Sequence, residues 1–498
     1  MLTRLKVSGF KNLLDVDLSF GPFTCIAGGN AVGKSNLFDA IMFLSALADR
    51  PLIEAAMIVR DEGARAADIR TLFHMNPTGF GERMRLEAEM IIASEGFDDL
   101  GQPAEASITF LRYAVELTYK PSGIDNLRPG IQLTHEVLEH INMGDAWKHL
   151  PFPHNVKWRR SVVTGRRTSP FISTVAGSED STIRLHQEGS GGRTRSVLAS
   201  SLPRTVLSTV NAAESPTAVL VRREMQSWRL LQLEPTALRA PDSFTAPVHV
   251  ASDGSHIPAT LYSLARQSGA VHDPASEVDV YARISNRLSE LVEDVRNVRV
   301  DRDDARELLT LYVLGKDGTA HPARSLSDGT LRFLALAVLE ADPGARGVLC
   351  FEEPENGIHP ERMVAMIELL RDLAVDSFEE VSAENPLRQV IINTHSPTVV
   401  AEVPDDSLLL AERALTSRDD QRVSTVVFRP LTDTWREKVD GASHAIQRGR
   451  ILAFLNPVKP RPEEELEGAR GRFSPRRVIE RDDIRQLSLW AHVPAGAR

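Results

Sequence analysis

The alternation of apolar and polar positions predicts an α/β protein whose chain opens with two antiparallel strands. Residues Leu2–Val7 alternate as an edge strand does, and Val16–Phe20 fit its partner. Phe23–Ala27 is a short apolar run that ends in two glycines, and a helical pattern follows over Lys34–Ala48. A strand, a glycine-rich loop and a helix in this order are typical of the start of a nucleotide-binding α/β domain.

Further strands and helices are predicted along the rest of the chain. Met84–Ile92, Tyr113–Tyr119 and Ile131–Ile141 fit a β-meander beside the first strand–loop–helix unit. The later elements are helices at Pro203–Ala212, Ala218–Leu231, Ile257–Ala265, Val278–Val295, Leu326–Glu340 and Glu361–Leu373, and strands at Val298–Val300, Leu308–Leu314, Gly347–Phe351, Gln389–Thr394, Ser407–Leu410 and Thr425–Phe428.

The composition changes along the chain divide it into four segments. Residues 1–150 and 226–430 carry the regular apolar patterns and are predicted to form two lobes of one core. Residues 151–225 are rich in Arg, Ser, Thr and Gly, which predicts an inserted basic arm of helical and irregular structure that includes the glycine-rich loop 188–192. Residues 431–498 end in a Pro-, Glu- and Arg-rich tail, which is typical of a partner-docking segment.

The overall charge limits the classes of partner. The 498-residue chain has a formal net charge of −10, so the protein as a whole is not a non-specific binder of polyanions. Residues 151–240, however, carry 13 Lys and Arg against 6 Asp and Glu. This local excess of positive charge indicates either a contact with DNA or a solvated surface.

The cysteines and the apolar runs indicate the compartment. Cys25 and Cys350 both lie in apolar runs that are predicted to be buried strands, and two cysteines do not form a disulfide scaffold for a chain of this size. The first residues show no signal peptide, and no apolar stretch reaches the ~18 residues that a membrane span needs. A cytoplasmic protein without membrane contact is expected.

The loop Gly28–Ser35 fits the pattern G-x-x-x-x-G-K-[ST]. Glycines let the backbone N–H groups of such a loop approach phosphates closely, and the following helix N-terminus favours an anion. Lys34 is expected to reach the β- and γ-phosphates of a nucleotide, and the Ser35 hydroxyl is expected to bind Mg²⁺. The competing interpretation is a chance glycine-rich turn, which the strand before it and the helix after it disfavour.

A second motif places two acids at the end of a predicted strand. Gly347–Phe351 is apolar and is followed by Glu352 and Glu353. A carboxylate at the end of a core strand can enter the shell of a bound Mg²⁺, and a second acid after it can act as a base towards water. Glu352 is therefore the candidate metal ligand and Glu353 the candidate catalytic base. Read without the phosphate loop, the pair would equally fit an acidic helix N-cap.

Two further motifs complete the set. Ser327 and the backbone of Gly329 open a predicted helix and would form another anion site, although the same residues fit an ordinary helix N-cap. His395 follows the predicted strand Gln389–Thr394, which places it at the ligand-binding edge of a parallel sheet. There it could contact a γ-phosphate, whereas a histidine without these companions would more often be structural.

Together and in this order, the four motifs resemble the ABC ATPase heads of the RecF, SMC and OLD families. The nearest resemblance is to the bacterial AAA-labelled, ABC-type ATPases found beside OLD nucleases and in phage-defence operons. It implies the ABC head fold, a P-loop core sheet with flanking helices plus an antiparallel β-meander. It also implies ATP and Mg²⁺ as ligands, with Gly28–Ser35 as Walker A and Val348–Glu353 as Walker B. Ser325–Thr330 then resembles the signature, and Glu355–Pro360 the D-loop region.

The resemblance assigns roles to individual residues. Glu353, His395 and Lys34 would be catalytic, and Ser35 and Glu352 would hold the metal ion. Phe10-Lys11-Asn12 matches a stretch of such heads that lies near the nucleotide. The expected nucleotide-binding residues are Lys11, Asn12, Gly28, Asn30, Ala31, Val32, Gly33, Lys34, Ser35, Asn36, Ser327 and Gly329.

The sequence departs from the family pattern in places. Asp328 stands where the signature usually has glycine, and Glu352 stands where Walker B usually has aspartate. The sequence does not assign a residue to the Q-loop. The resemblance covers residues 1–140 and 225–430, and the 68 residues after position 430 are too few for the nuclease domain of OLD proteins, so a nuclease is expected on a separate chain.

The resemblance implies a mechanism and a purpose. Two copies would pair head-to-tail as a homodimer or higher oligomer and enclose ATP between Walker A of one copy and the signature of the other. The favoured hypothesis is the ATPase and sensor component of a bacterial phage-defence system, acting with a separate effector protein such as a nuclease or toxin. The alternative is a DNA-associated ATPase in DNA repair or maintenance. An ABC transporter subunit and a small-molecule kinase fit the motifs and the long insertion poorly.

Overall fold

The computed structural model describes residues 1–59, 68–77, 79–121, 130–178, 180–188, 194–267, 274–418, 421–440, 445–446 and 448–455. The chain divides into two units, Met1–Leu455 and Asn456–Arg498. The predicted tail beyond residue 455 and the glycine-rich part of loop 188–192 lie outside the described residues.

The strands are β1 Leu2–Phe10, β2 Leu13–Ser19, β3 Phe23–Ala27, β4 Met75–Asn76, β5 Gly79–Phe80, β6 Arg83–Ile91, β7 Glu95–Phe97, β8 Pro103–Glu105, β9 Phe110–Lys120, β10 Gly130–His140, β11 Ile172–Val175, β12 Thr182–Leu185, β13 Arg195–Leu198, β14 Arg229–Leu231, β15 Asp242–Ser243, β16 Val295–Asp303, β17 Leu308–Gly315, β18 Ala320–Pro322, β19 Gly347–Glu352, β20 Arg388–Thr394, β21 Leu408–Arg418 and β22 Gln421–Pro430.

The α-helices are α1 Lys34–Leu47, α2 Leu52–Ile58, α3 Ala146–His149, α4 Val156–Val162, α5 Pro216–Gln226, α6 Pro235–Leu238, α7 Ile257–Gln267, α8 Pro274–Leu291, α9 Asp328–Ala341, α10 Met363–Asp372, α11 Pro397–Glu402, α12 Trp435–Asp440 and α13 Arg448–Leu455. Short 3-10 turns lie at Ile69–Leu72, Ala199–Ser201, Leu207–Thr209, Ala323–Ser325, Pro360–Arg362 and Asp405–Ser407.

A six-stranded sheet forms the centre of the fold, in the order β14-β19-β20-β3-β21-β22. The first five strands are parallel, and only β22 runs antiparallel to its neighbour. All residues of β3 and β20 are buried, which explains why these strands have continuous apolar runs. The carboxyl ends of β14, β19, β20 and β3 therefore meet at one edge, which is where ligands bind in open parallel sheets.

The two faces of this sheet are covered by different layers. Ile26 and Ile391 face a core that includes α1, α5 and the inner side of a second sheet. Their neighbours Cys25 and Ile392 face a core built with helices α7 to α10. Both cysteines are free and buried, as the sequence predicted. No α-helix among the described residues combines the length and apolar character that crossing a membrane requires.

The second sheet is antiparallel and has eight strands, in the order β13-β12-β11-β10-β9-β6-β1-β2. Strands β6, β9 and β10 confirm the predicted meander. The predicted edge position of the first strand is wrong, because β1 lies between β6 and β2 and the edge is β2. The alternation in β1 reflects one face packed on the core and the other towards solvent, a pattern that central and edge strands share.

The segment expected to be a helical or irregular arm extends this sheet. Strands β11, β12 and β13 pair in succession beyond β10, and the sequence did not predict these three strands. Ile183 and Leu185 are buried on β12, so an alternation of only four residues corresponds to a strand here. A further small sheet, in the order β15-β17-β16 with β18 on β17, lies beside α7 and α8.

Two predicted helices in this part of the chain are corrected. Pro203–Ala212 is not a helix, and only the 3-10 turn Leu207–Thr209 forms there. The buried carboxylate of Glu136 accepts hydrogen bonds from the backbone N–H groups of Val206 (2.7 Å) and Leu207 (2.9 Å), which replaces helical pairing. The helix predicted over Ala218–Leu231 ends at Gln226, because the residues after it pair with β19 as strand β14.

Candidate nucleotide site

The loop between β3 and α1 has the geometry of a phosphate loop. Gly33 precedes α1 with a φ of 109°, a conformation that favours glycine. The ammonium group of Lys34 donates hydrogen bonds to the carbonyl oxygens of Gly28 (2.8 Å) and Gly29 (3.0 Å). Burial lowers the pKa of Lys34, although nearby glutamates oppose that shift. The lysine is thus held inside the loop that the sequence predicted to surround phosphates.

Asn12, which is not part of this loop, stabilises it through hydrogen bonds. Its Nδ2 donates to the carbonyl oxygen of Val32 at 2.9 Å, and its Oδ1 accepts from Asn36 Nδ2 at 2.8 Å. A Cβ added to Gly33 would lie 2.0 Å from Asn12 Nδ2, so the contact requires a glycine there. Lys11, predicted to lie near the nucleotide, forms an ion pair with Asp39 on α1.

Glu352 ends β19 and is held from both neighbouring strands. Gln232, which directly follows β14, donates from Nε2 to Glu352 Oε2 at 2.7 Å. Asn393 of β20 donates from Nδ2 to Glu352 Oε1 at 3.2 Å. The parallel order β14-β19-β20 brings these three side chains to the same level, which fixes the carboxylate at the edge of the sheet.

Glu353 is turned by its backbone and hydrogen-bonded by two side chains. Its φ is 45°, an uncommon conformation for a residue other than glycine. Its Oε1 lies 2.7 Å from His395 Nδ1, and its Oε2 accepts from Asn356 Nδ2 at 3.1 Å. Burial raises the pKa of Glu353, but the hydrogen bonds from Asn356 and His395 outweigh it and the net pKa is lowered. The carboxylate is therefore ionised at neutral pH, and an ionised carboxylate only accepts, so His395 Nδ1 donates.

These groups surround one cavity of about 670 Å³ at the carboxyl edge of the parallel sheet. The predicted residues that line it are Asn12, Asn30, Ala31, Gly33, Lys34, Ser35, Asn36, Glu352 and Glu353. The predicted residues outside its lining are Lys11, Gly28, Val32, Ser327, Gly329 and His395. His395 still reaches the site through Glu353, and Gly28 packs so closely that an added Cβ would lie 2.6 Å from the carbonyl oxygen of Ala411.

A larger cavity, about 800 Å³, lies elsewhere in the described part of the chain. Its lining includes Pro22 before β3, Asn385 before β20 and Ser407 before β21, so it lies at the amino ends of these strands. None of the four motifs contributes to it. Cavity volume therefore does not identify the functional site, because the phosphate loop and the two acids line the smaller cavity.

The predicted second anion site stands at the start of α9. Ser327 caps this helix by accepting a hydrogen bond from the backbone N–H of Thr330 at 3.2 Å, and Asp328 forms an ion pair with Arg239. A Cβ on Gly329 would lie 3.2 Å from the carbonyl oxygen of Gly357, so this turn packs against the residues that follow Glu353. The predicted contact of Ser327 and Gly329 with a nucleotide bound by another copy stays a prediction.

Several lining residues were not predicted from the sequence. They are Gln232, Leu233, Glu234, Arg332, Asn356 and Asn393. Gln232 contacts Glu352 across the cavity and is the candidate for the Q-loop glutamine that was not assigned. The available signal was its place directly after Trp228–Leu231, a short stretch in which three of the four residues are apolar. Asn393 and Arg332 gave no comparable signal, because each lies inside an element whose pattern indicates only burial.

The donor set fits a magnesium ion that also binds phosphate. Among the described residues there is no group of three or more His, Cys, Asp or Glu that could hold a metal ion without further ligands. Ser35 and Glu352 line the same cavity as Lys34 and supply oxygen ligands, which Mg²⁺ prefers. An ion held by two protein ligands takes its remaining ligands from water and substrate phosphates, so the site suits a metal–nucleotide complex.

Fold and site together define an ABC-type P-loop ATPase head: a parallel sheet with its phosphate loop, an acidic strand end beside it, and an attached antiparallel sheet. The family model described as "AAA domain, putative AbiEii toxin, Type IV TA system" matches residues 121–401. Because the match covers more than half of the chain, the protein belongs to this family. The matched range contains Glu352, Glu353 and His395 but begins after the loop Gly28–Ser35.

Other comparisons give distant matches or none. The Smc head bound to the C-winged helix domain of ScpA is 15% identical, with a TM-score of 0.43 over 86% of this chain and 98% of that one. The Smc head with an extended coiled coil, bound to the C-terminal domain of ScpA and derived from Pyrococcus furiosus, is 13% identical, with a TM-score of 0.40 over 86% and 96%. No curated protein matches.

Proposed function

We propose that this protein binds ATP with Mg²⁺ and hydrolyses it. The observation that carries the proposal is the placement of Glu353, ionised and oriented by His395 and Asn356, on the same cavity as Lys34 and Glu352. A base, a phosphate-binding cation and a metal ligand are the three groups that phosphoryl transfer to water requires.

Each group has a defined task in this proposal. Lys34 and the loop N–H groups bind the phosphates, while Ser35 and Glu352 hold Mg²⁺. The metal ion neutralises charge on the phosphate oxygens. Glu353 accepts a proton from the attacking water, and His395 keeps its carboxylate aimed at that water. The Nε2 atom of His395 has no partner among the described residues and is available to a phosphate oxygen.

The proposal includes a dimer in which ATP lies between two copies. Ser327 and Gly329 do not line the cavity of their own chain, so they can serve a nucleotide bound by another copy. ATP would then favour the closed dimer because only that state completes its contacts, and hydrolysis would release it.

For the biological role we propose the ATPase and sensor component of a bacterial defence system that acts with a separate effector. The family description names a toxin and a toxin–antitoxin system, which supports a defence role. An association with DNA is the alternative. Lys157, Arg160 and Arg166 are exposed in the basic segment and favour it, whereas Arg222 and Arg223 are both ion-paired with the single carboxylate of Asp99.

The testing experiment measures ATP hydrolysis with and without duplex DNA. Glu353→Gln should lower kcat by roughly 10²-fold or more, because it removes the base, while ATP still binds. Glu368→Gln, the same change on an exposed position of α10, should leave kcat unchanged. Hydrolysis by Glu353→Gln at the wild-type rate would contradict the proposal.

The comparison of hydrolysis with and without DNA separates the two roles. Stimulation by DNA, with binding that weakens steeply as salt rises, would favour the DNA-associated ATPase. Hydrolysis indifferent to DNA would favour control by a partner protein.

A further inference from the structure

Arg332 lies on α9 and lines the same cavity as Lys34 and Glu353. Its side chain is half-buried, and its Nε is buried without a hydrogen-bond partner. Within the described residues its guanidinium also enters no ion pair. This is unusual because buried donors in folded proteins nearly always have a partner.

The surroundings keep the guanidinium positive without binding it. Burial lowers the pKa of Arg332, and the negative charges of Asp328 and Glu234 oppose that shift. An arginine remains protonated in such surroundings. A Cβ added to Gly357 would lie 4.0 Å from Arg332 Nε, so the guanidinium stands beside the turn that carries Glu353 and Asn356. It is thus at the end of the cavity where water would be activated.

A purely structural role for Arg332 does not explain these contacts. An arginine that held α9 in place would bond a carbonyl oxygen or a carboxylate, as Arg239 does with Asp328 and the carbonyl oxygen of Leu326. Arg332 instead lines the wall of a cavity that contains a second cation, and no carboxylate in the described part of the chain pairs with its guanidinium. The missing partner is therefore an anion that enters the cavity.

We infer that Arg332 binds the γ-phosphate of ATP held in its own chain. The inference rests on the proposed function, and it adds a nucleotide-binding residue from the signature helix. Ser327 and Gly329, proposed to face the partner's nucleotide, lie about one turn before Arg332 on the same helix. The rigid helix α9 would then couple binding of the γ-phosphate in one site to the contacts made in the other site of the dimer.

The test compares the affinities for ATP and ADP by calorimetry, in a Glu353→Gln background that prevents turnover. Arg332→Gln should raise the Kd for ATP roughly tenfold and change the Kd for ADP less than about twofold, because only ATP has the γ-phosphate. Arg332→Lys keeps the charge without the planar fork and should fall between. Arg371→Gln, an exposed position on α10, should change neither.

The melting temperature without nucleotide distinguishes a ligand contact from a structural one. Arg332→Gln removes a donor that has no partner, so the unliganded protein should melt no lower than its parent. Equal weakening of ATP and ADP, no weakening of ATP, or a lower melting temperature without nucleotide would overturn the inference. If Lys34→Ala, with Arg332 intact, bound ATP as tightly as its parent, the proposed site itself would fail.

Discussion

At the residue scale, Asn393 connects the two acids of the site. Its Nδ2 donates to Glu352 Oε1 at 3.2 Å, and its Oδ1 accepts from the backbone N–H of Glu353 at 3.1 Å. The side chain is buried on β20, so neither bond competes directly with bulk water. One amide thereby fixes the spacing between the proposed metal ligand and the proposed base.

Asn393→Ala should therefore impair catalysis more than binding. We expect kcat to fall roughly 10- to 100-fold, since small misplacements of reacting groups have effects of this size. The Kd for ATP should change only a few-fold, because the phosphate loop is untouched. Steady-state kinetics and calorimetry check this, with the exposed Asn286→Ala as the control. An unchanged kcat would show that Asn393 is not needed for positioning.

Glu136 makes the stability of the fold dependent on pH. Burial raises its pKa from 4.5 to about 7, against the hydrogen bonds that its carboxylate accepts from Leu207, Val206 and Tyr113. The folded protein holds this proton in a pH range where the unfolded chain has released it. The contribution to the free energy of unfolding therefore falls as pH rises from about 4.5 to about 7, in total by about 3 kcal/mol.

Urea unfolding at several pH values tests this sign. For the wild-type protein, the free energy of unfolding should include this decrease with rising pH. Glu136→Gln should lack the decrease because the amide does not titrate. Parallel pH profiles of the two proteins would contradict the assignment to Glu136.

At the element scale, the junction between β3 and α1 depends on backbone geometry. Gly33 combines a φ of 109° with a position where a Cβ would lie 2.0 Å from Asn12 Nδ2. Gly29, in the same loop, has no such constraint, and an added Cβ would meet only Val32 Cγ2 at 3.8 Å. The two glycines therefore differ in what they tolerate.

Gly33→Ala should destabilise the protein by about 1–3 kcal/mol and greatly weaken ATP binding, since the alanine both strains φ and displaces Asn12. Gly29→Ala should affect stability much less. Chemical unfolding and a fluorescent ATP analogue measure the two effects. Equal behaviour of the two variants would show that the loop does not bind nucleotide in this conformation.

At the scale of the whole molecule, ATP is expected to control assembly. The Glu353→Gln protein should form dimers with ATP, because the complex persists without hydrolysis, and should stay monomeric without it. The additional change Gly329→Asp places a negative charge at the start of α9 and should prevent dimerisation while leaving ATP binding in the monomer. Light scattering coupled to size-exclusion chromatography reports both states.

The control for this prediction is Gly144→Asp, where an added Cβ would meet no atom within 4 Å. It should dimerise with ATP like its parent. Dimers of the Gly329→Asp protein would show that the signature assignment is wrong.

The local parts of this protein follow from short stretches of its sequence. The loop Gly28–Ser35, the buried strands β3, β19 and β20, and the acids Glu352 and Glu353 could be predicted because their signals lie within a few neighbouring residues. Glycine is required where the backbone turns tightly, and a parallel strand buried on both faces is apolar throughout.

The distant residues that join these local parts depend on how the whole chain folds. Gln232, Asn393 and Arg332 reach the cavity through the order of the parallel strands and the packing of α9, neither of which a local pattern contains. The position of β1 inside its sheet and the loss of the helix predicted at Pro203–Ala212 have the same origin. Strand partners and a buried carboxylate from elsewhere in the chain, rather than local preference, satisfied the backbone hydrogen bonds there.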